Sequence, residues 1–308
     1  MHHRGSSRSP EFLVIGAMKS GTTTLYRDLL GNPSIFLPEK EANFLRNEIS
    51  ASAYARAYRA AAPQQRCGDV SADYAMLPES ADVVPRAKRL LGNSVKVVYL
   101  VREPVSRTIS HHAHLAVRHG AERIGSDINR CVRDHPFLIE CSRYARQLQP
   151  WVDAFGKRAI HVIKFEDYIT QRQETIEGLC AFLGVPADAP SINGDVVYNR
   201  TAGKPVVAGH WKTMLESTFY RRVVRPLFST TVRDALRSRL LPKARVVPAP
   251  PRRETVRYIV ERVRDDIAEL QALLGHDQPM WDLDAVLQRH GMKQESSRQR
   301  NRSDRRAA

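Results

Sequence analysis

Cysteine is scarce in this chain, with four residues among 308. They are widely scattered, and no two are spaced as a Cys-x-x-Cys pair: Cys67, Cys131, Cys141 and Cys180. Zinc and redox motifs need close cysteine pairs, and a disulfide framework needs several cysteines within a short chain. The cysteines therefore indicate neither a zinc site nor a disulfide framework, and we expect reduced thiols in a cytoplasmic protein.

Long hydrophobic runs are also absent. No apolar stretch approaches the roughly 18 residues of a membrane-spanning helix. The basic N-terminus, residues 1–10, is followed by an apolar stretch of only about four residues, which is too short for a signal peptide or a membrane anchor. We therefore expect a disordered leader at residues 1–10 and a cytoplasmic, bacterial protein without a transmembrane segment.

Acidic residues are few relative to basic ones. The chain has 33 Asp and Glu against 48 Lys and Arg, which gives a formal net charge of +15. This excess predicts an anionic partner, although a generally basic surface would also account for it. Residues 293–308 hold six basic and two acidic side chains, so that +11 remains without them. We predict a basic disordered tail at 293–308 and a domain at 11–292 that carries positive charge of its own.

Within that domain, short apolar runs alternate with amphipathic segments. The clearest strand is Val95–Val101, whose nearly continuous apolar run is typical of a central parallel strand. Further strands are predicted at Phe12–Ile15, Ile35–Leu37, Arg66–Val70 and Ile160–Phe165. Helices are predicted at Thr22–Leu30, Ala51–Ala62, Pro78–Leu91, Val105–Arg118, Ser142–Phe155, Gln173–Leu183 and Arg253–Leu274. This alternation predicts an α/β fold: a single P-loop-like domain with a central parallel sheet flanked by helices.

The first predicted strand leads into a glycine loop, Gly16 to Gly21, and then into a helix. This arrangement presents backbone N–H groups and the positive end of a helix dipole to a phosphate. A nucleoside-triphosphate P-loop would need Lys-Ser or Lys-Thr directly after the second glycine. Here Thr22 and Thr23 follow Gly21, and the lysine stands earlier, at Lys19.

An acidic residue is missing at the end of the Val95–Val101 strand, where an NTPase needs an aspartate to help hold Mg²⁺. Arg102 stands there instead. A guanidinium cannot bind Mg²⁺, but it can pair with a phosphate through two N–H groups. The two features predict a nucleotide-phosphate site without a metal. They disfavour a P-loop kinase or NTPase, which remains an alternative.

These residues resemble the sulfotransferases that use 3′-phosphoadenosine 5′-phosphosulfate (PAPS). Lys19 to Thr23 is similar to the family's 5′-phosphosulfate loop. Leu100 to Ser110 resembles its 3′-phosphate motif, with Arg102 at the strand end and Ser110 eight residues later. The resemblance extends over roughly residues 11–285. Three further segments are similar to the heparan-sulfate-type branch and its bacterial relatives: Glu41-Ala42-Asn43-Phe44, Tyr144–Trp151 with Phe155-Gly156, and Leu273-Leu274-Gly275 with Trp281.

The resemblance implies a sulfotransferase that moves a sulfuryl group from PAPS, its co-substrate, to an acceptor hydroxyl without a metal. The residues that it implies for PAPS binding are Lys19, Ser20, Gly21, Thr22, Thr23, Thr24, Arg102, Ser110, Gly203 and Lys204. The last two come from a short similarity of Asn199–Lys204 to a loop that closes over the adenosine. A simple basic loop is the alternative for that segment.

For catalysis, Lys19 is placed to neutralise the leaving phosphate oxygen. The resemblance implies Glu41 as the general base that deprotonates the acceptor. Glu39 is a rival base two residues away. A loop salt bridge of Glu41 with Lys40 or Arg46 is the structural alternative.

The acceptor side departs from the branch's pattern in two places. Asn43 stands where the branch often has a histidine, and Val70 stands where it has a lysine that contributes to the active site. Either another basic residue substitutes for that lysine, or the handling of acceptor and sulfate differs. Asp73 is a candidate second carboxylate, with a capping or turn role as the alternative. Asn43 and Asp73 are therefore the predicted acceptor-binding residues.

Three histidines, His111, His112 and His114, follow Ser110 and suggest a metal site at first sight. His111 and His114 share one face of the predicted helix, but no third ligand with zinc spacing accompanies them, so we expect no metal site. We expect these histidines to line the helix surface or the acceptor cleft, with one of them as an alternative base.

The predicted acceptor is a glycan or a small molecule, namely a sugar, a glycolipid or a hydroxylated natural product. A basic nucleic-acid-binding protein is the remaining alternative, because of the net charge and the arginine-rich tail. The sequence contains no helix-turn-helix, zinc finger or RNP-like aromatic motif. We therefore expect no specific nucleic-acid partner.

Overall fold

The computed structural model describes residues 8–47, 49–119, 124–187 and 250–290. Most of the predicted leader lies outside these ranges, as do the predicted basic tail and the two candidate residues Gly203 and Lys204. The other candidate site residues lie within them.

Five strands form one sheet in which every neighbouring pair is parallel. The strands are β1 (Phe12–Gly16), β2 (Ile35–Phe36), β3 (Arg66–Val70), β4 (Lys96–Val101) and β5 (Ile160–Lys164). Their order across the sheet is β2-β3-β1-β4-β5, which places β1 at the centre. The predicted central parallel sheet is confirmed.

Helices cover both faces of this sheet. They are α1 (Thr22–Leu30), α2 (Ala51–Arg56), α3 (Val83–Leu91), α4 (Pro104–His119), α5 (Ile128–Asp134), α6 (Phe137–Glu140), α7 (Tyr144–Phe155), α8 (Phe165–Thr170), α9 (Arg172–Leu183) and α10 (Arg253–Leu274). Residues 283–290 are also helical. In the part of the chain that the structure describes, none of the helices is both long enough and apolar enough to cross a membrane.

The central strand β1 contributes side chains to two hydrophobic cores, because successive side chains of a strand point to opposite faces. Leu13 and Ile15 belong to the core shared with α3, α7 and α10. Phe12 and Val14 belong to the core shared with α1 and α9. All four side chains are fully buried, which explains why the strand is uninterruptedly apolar in sequence.

Some predicted boundaries are wrong. The helix predicted at Ala51–Ala62 ends at Arg56, and the helix predicted at Pro78–Leu91 begins at Val83. Residues 78–83 instead form turns, in which the N–H groups of Ala81 and Val83 each donate to the carbonyl three residues back. The Ser80 hydroxyl accepts the N–H of Met76 at 2.9 Å. Helices α5, α6 and α8 were not predicted, because segments of four to seven residues hold too few turns to show a helical period.

A parallel sheet brings the carboxyl ends of its strands to one edge, and ligands of such sheets bind there. At this edge lie the segments that follow β1, β3 and β4, which begin at Ala17, Ser71 and Arg102. The candidate residues of the glycine loop and of the strand end are therefore neighbours, although about 80 residues separate them in sequence.

Candidate functional site

The glycine loop leads directly from β1 into α1. Gly21 precedes the helix with φ 96°, a left-handed conformation that L side chains rarely adopt. A Cβ at this position would lie 2.8 Å from the Phe165 ring, so the site requires glycine for space as well as for conformation. The Ser20 side chain is fully buried, and its hydroxyl has no hydrogen-bond partner among the described residues. An unpartnered hydroxyl beside a helix N-terminus fits an anionic ligand.

The three threonines that follow are Thr22, Thr23 and Thr24, in the first turn of α1. Thr22 and Thr24 are buried and Thr23 is half-buried. The Thr24 N–H donates to the Gly21 carbonyl at 2.9 Å, which begins the helix. The positive end of the α1 dipole therefore lies at the same edge as the loop.

Backbone strain in the described part of the chain is concentrated at three predicted site residues. Lys19, Glu41 and Asn43 are the non-glycine residues with left-handed φ, at 73°, 60° and 54°. Such conformations cost free energy and are found most often where a ligand or catalytic group must be held in a set position. The glycine loop and the Glu41 loop, which hold the predicted catalytic residues, are therefore the segments with left-handed non-glycine residues in the described part of the chain.

Arg102 joins the strand end to the glycine loop. Its Nη1 donates to the carbonyl oxygen of Lys19 at 3.2 Å, and its guanidinium lies 4.8 Å from the centre of the Phe165 ring. Burial lowers the pKa of Arg102 below its ordinary value. Among the described residues no carboxylate forms an ion pair with it. A partly buried guanidinium without a counter-ion is suited to binding an anion.

The backbone of Arg102 is fixed by Tyr144, the first residue of α7. The Tyr144 hydroxyl donates to the Arg102 carbonyl at 2.6 Å and accepts the Arg102 N–H at 3.2 Å. The Tyr144 side chain is fully buried. Tyr144 belongs to a segment that resembles the family branch, but its role at the strand end was not predicted.

Helix α4 begins beside Arg102 and carries Ser110. The Glu103 carboxylate accepts the N–H groups of Val105 and Ser106 at 2.6 and 3.0 Å, which caps the helix. Ser110 is half-buried and lies about two helical turns beyond Arg102. Among the described residues Glu103 forms no ion pair with Arg102, because its carboxylate is taken up by the start of α4.

Glu41 lies on the other side of the edge, in the loop that follows β2. Its N–H donates to the carbonyl of Val70 at 2.9 Å, which ties this loop to the end of β3. Its carboxylate pairs with the ammonium of Lys40 and is nearly half exposed, at 47%. The salt bridge with Lys40 that was an alternative to a catalytic role is therefore present. Because the Glu41 side chain is nearly half exposed, its carboxylate is accessible to an acceptor despite this salt bridge.

Asn43 and Asp73 lie at the same edge. The Asp73 carboxylate is 3.7 Å from Arg46, and burial raises its pKa, with a further contribution from the charge of Glu41. One side-chain oxygen of Asp73 and that of Asn43 are buried without a hydrogen-bond partner in the described structure. Buried oxygens in this state need a donor from elsewhere.

Asp69 supports this region from below. Its carboxylate is almost fully buried and accepts hydrogen bonds from the hydroxyls of Tyr54 and Tyr74, each at 2.7 Å, and from Ser71 at 3.2 Å. Tyr74 in turn accepts the N–H of Leu45 at 3.1 Å. The position where the family branch has a lysine is taken by Val70, whose side chain is buried in the core.

The expectation that His111 and His112 line a surface or a cleft is wrong. Both side chains are buried, because the helix face that carries them packs against the protein interior. Burial lowers the pKa of both, and for His111 the charges of Arg107 and Lys19 add to this effect. Within the described ranges no group of three His, Cys, Asp or Glu side chains is arranged to hold a metal ion.

Arg107 lies within the predicted 3′-phosphate motif, Leu100 to Ser110, but it was not predicted as a site residue. It is fully buried, and its Nη1 donates to the carbonyl of Met18 in the glycine loop at 3.4 Å. Its spacing was the available signal: Arg107, His111 and His114 recur at three and four residues and so share one face of α4. Gly203 and Lys204 lie outside the described residues.

Comparisons with known proteins bear on the family and the fold. A family model described as a sulfotransferase domain matches residues 9–222. The chain is 24% identical to heparan sulfate glucosamine 3-O-sulfotransferase 5 of Mus musculus and 25% identical to that of Homo sapiens, each over 207 residues that cover 63% of this chain and 58% of the relative. It therefore spans less than two thirds of these relatives' length. A solved sulfotransferase from Alicyclobacillus acidocaldarius has a similar fold, with a TM-score of 0.57, 20% identity and coverage of 88% of this chain and 98% of that chain.

Proposed function

The chain belongs to the sulfotransferase family, and we propose on that premise that it transfers a sulfuryl group from PAPS to a hydroxyl of a sugar, a glycolipid or a hydroxylated natural product. The sequence relatives that are named for heparan sulfate glucosamine support a carbohydrate acceptor. Oxygen of the acceptor bonds to sulfur, the bond from sulfur to the PAPS phosphate oxygen breaks, and the products are a sulfated acceptor and adenosine 3′,5′-bisphosphate (PAP).

The observation that carries the proposal is the contact between Arg102 and the Lys19 carbonyl, at 3.2 Å. It joins the glycine loop and the strand end into one cationic site at the carboxyl edge of the sheet. PAPS has two anionic ends, and a site of this kind offers a binding group for each. The loop with Ser20, Gly21 and the threonines Thr22 to Thr24 would hold the 5′-phosphosulfate, and Arg102 with Ser110 would hold the 3′-phosphate.

In this proposal Lys19 carries the positive charge that neutralises the leaving phosphate oxygen. Glu41 removes the proton of the acceptor hydroxyl. Asn43 and Asp73 hold the acceptor through their unpartnered side-chain oxygens. Gly203 and Lys204 remain proposed contacts to the adenosine end, on the sequence similarity alone.

The test is transfer of labelled sulfate from PAPS to a panel of sugars, glycolipids and phenols, together with calorimetric binding of PAP and of Mg·ATP. We expect PAP to bind and Mg·ATP to bind far more weakly. Lys19→Ala and Glu41→Gln should each lower kcat by about 100-fold or more. Glu39→Gln tests the rival base, and Lys157→Ala, an exposed lysine outside the site, is the control for Lys19→Ala.

Binding of Mg·ATP in preference to PAP would favour the kinase or NTPase alternative and overturn the proposal. Full activity of both Lys19→Ala and Glu41→Gln would remove the catalytic roles while leaving the reaction itself intact. If Glu39→Gln were inactive and Glu41→Gln active, the base would be Glu39.

A further inference from the structure

Arg107 is a fully buried arginine that the proposed reaction has not used. It lies in the first turns of α4, between the glycine loop and the α6–α7 segment. A guanidinium is costly to bury, because its charge loses the solvation of water and its N–H groups lose their water partners. Its retention at this place therefore needs an explanation.

Each of the five N–H groups of Arg107 has an acceptor. Nε donates to the Ser142 hydroxyl, Nη2 donates to the Leu138 carbonyl and the Thr108 hydroxyl, and Nη1 donates to the Met18 carbonyl and His111 Nδ1. The acceptors come from three separate segments of the chain: the glycine loop, α4 itself and the α6–α7 segment. The hydrogen bonds fix the guanidinium in position, and one of them fixes the residue before Lys19.

The charge of Arg107 has no counter-ion in the described structure, although its hydrogen bonds are complete. All five acceptors are neutral groups, and no carboxylate forms an ion pair with it. Arg172 shows the contrast, because this similarly buried arginine pairs with the Asp28 carboxylate at 2.6 Å. Arg107 therefore places a positive charge, unscreened by water, directly behind the glycine loop.

His111 does not share this charge. Since Arg107 donates to His111 Nδ1 at 3.2 Å, the histidine is neutral and carries its proton on Nε2. Burial, with the positive charge of Arg107 and of neighbouring groups, lowers the pKa of His111 well below its ordinary value. Arg107 is therefore the charged member of this pair.

We propose that Arg107 is a positioning residue for the 5′-phosphosulfate end of PAPS. It holds the Met18 carbonyl, and through it the Lys19 conformation, and its buried charge attracts the anion that the loop binds from the other side. This proposal rests on the proposed function, since it assumes that the loop binds the 5′ end. It adds a group that acts through the loop, without touching the substrate.

The test separates the two ends of the nucleotide. Affinities of the whole chain for PAP, adenosine 5′-monophosphate and adenosine 3′-monophosphate are measured by calorimetry or by competition with a fluorescent PAP analogue. Arg107→Gln should weaken PAP and the 5′-monophosphate by about tenfold or more and leave the 3′-monophosphate within about twofold. Arg107→Lys, which keeps the charge, should recover part of the loss.

Arg86→Gln is the matched control. Arg86 is also a buried arginine that donates to main-chain carbonyls, those of Leu45 and Arg46 in the Glu41 loop. Its replacement should lower stability, measured by thermal unfolding, and leave the ratio of 5′- to 3′-monophosphate affinity unchanged. A purely structural role for Arg107 would give the same pattern as this control.

The outcomes separate the two proposals. If wild-type protein does not bind PAP, the proposed function fails. If wild-type protein binds PAP and neither Arg107 variant changes the ratio of 5′- to 3′-monophosphate affinity, only the role of Arg107 is overturned. If Arg107→Gln does not fold, Arg107→Lys decides. A lower ratio of 5′- to 3′-monophosphate affinity in Arg107→Lys supports the role of the guanidinium hydrogen bonds in positioning the loop. A ratio and a PAP affinity equal to those of wild type overturn that role.

Discussion

At the scale of single residues, Arg102 illustrates how one side chain connects several parts of the site. Its guanidinium contacts the Lys19 carbonyl and the Phe165 ring, and its own backbone is held by Tyr144. Phe165 also fills the space beside Gly21. A change at any of these residues should therefore be felt at the glycine loop.

Gly21→Ala should disrupt the loop. The added Cβ meets the Phe165 ring at 2.8 Å, and φ 96° is unfavourable for alanine. We expect a loss of about 1–3 kcal/mol in the free energy of unfolding, from left-handed strain and overpacking, and a PAP affinity at least about tenfold lower. Denaturant unfolding and calorimetry measure the two effects.

Gly92→Ala is the control for that substitution, since Gly92 has φ 76° and a Cβ there meets nothing within 4 Å. It should cost some stability and leave PAP affinity unchanged. Equal PAP binding by Gly21→Ala and wild type would show that the contact with Phe165 does not shape the site.

Tyr144→Phe should loosen the strand end. It removes the hydroxyl that both donates to and accepts from the Arg102 backbone, and it leaves the N–H and the carbonyl of Arg102, both partly buried, without this partner. We expect a loss of about 1–3 kcal/mol in stability and a several-fold weaker affinity for PAP. Tyr168→Phe, which removes another buried hydroxyl, one that donates to Asp28 away from Arg102, should affect stability alone. The same PAP affinity in both variants would count against the role of Tyr144.

At the scale of secondary-structure elements, α10 supports the site by fixing the start of α7. Asp266, in the middle of α10, accepts the N–H groups of Ala145 and Arg146, each at 2.9 Å. These are N–H groups of the first turn of α7, which lack intrahelical acceptors. Tyr144 lies at this same helix start, so α10 indirectly fixes the residue that holds Arg102.

Asp266 predicts a pH dependence of stability. Burial raises its pKa to about 6, above its ordinary value of 3.8. The folded state therefore binds more protons than the unfolded state between these values, and the contribution of Asp266 to stability is complete below pH 3.8 and is lost as the pH rises through 6. One group of this kind changes the free energy of unfolding by at most about 1.4 kcal/mol per pH unit.

Asp266→Asn should flatten this dependence, because an amide does not titrate. The measurement is denaturant unfolding of wild type and variant at several pH values between 4 and 7, compared as differences. Asp284→Asn, at an exposed aspartate that pairs with Arg264, is the control and should leave the slope unchanged. A parallel pH dependence of Asp266→Asn and wild type would contradict the raised pKa.

At the scale of the whole molecule, two cores on opposite faces of one parallel sheet fix the strand ends that carry the glycine loop and Arg102. The domain limits, 11–292 with a basic tail at 293–308, remain a prediction. Deletion of residues 293–308 should leave the thermal unfolding midpoint unchanged. It should also leave the affinity for PAP within about twofold of wild type, since +11 of the charge lies elsewhere. A large loss of PAP affinity, measured at matched ionic strength, would assign the tail to the site.

The sequence by itself determined the sheet, the glycine loop and the choice of Lys19 and Arg102, because these features depend on local patterns. Apolar runs such as Phe12–Ile15 predict buried strands, and glycine spacing predicts a loop within a few residues. The helix at Arg253–Leu274 was predicted with both of its boundaries, since 22 residues show a clear period and Gly275 ends it.

Only the tertiary structure decided how distant side chains meet. Arg107 looks like any charged residue on a helix, and packing of α4 against the glycine loop and Leu138 is what buries it. The contacts of Arg102 with Lys19, Tyr144 with Arg102 and Asp266 with Arg146 join residues between about 40 and 120 positions apart. The burial of His111 was missed for the same reason. Burial and partners depend on which element packs on which face, and no local pattern of residues carries that information.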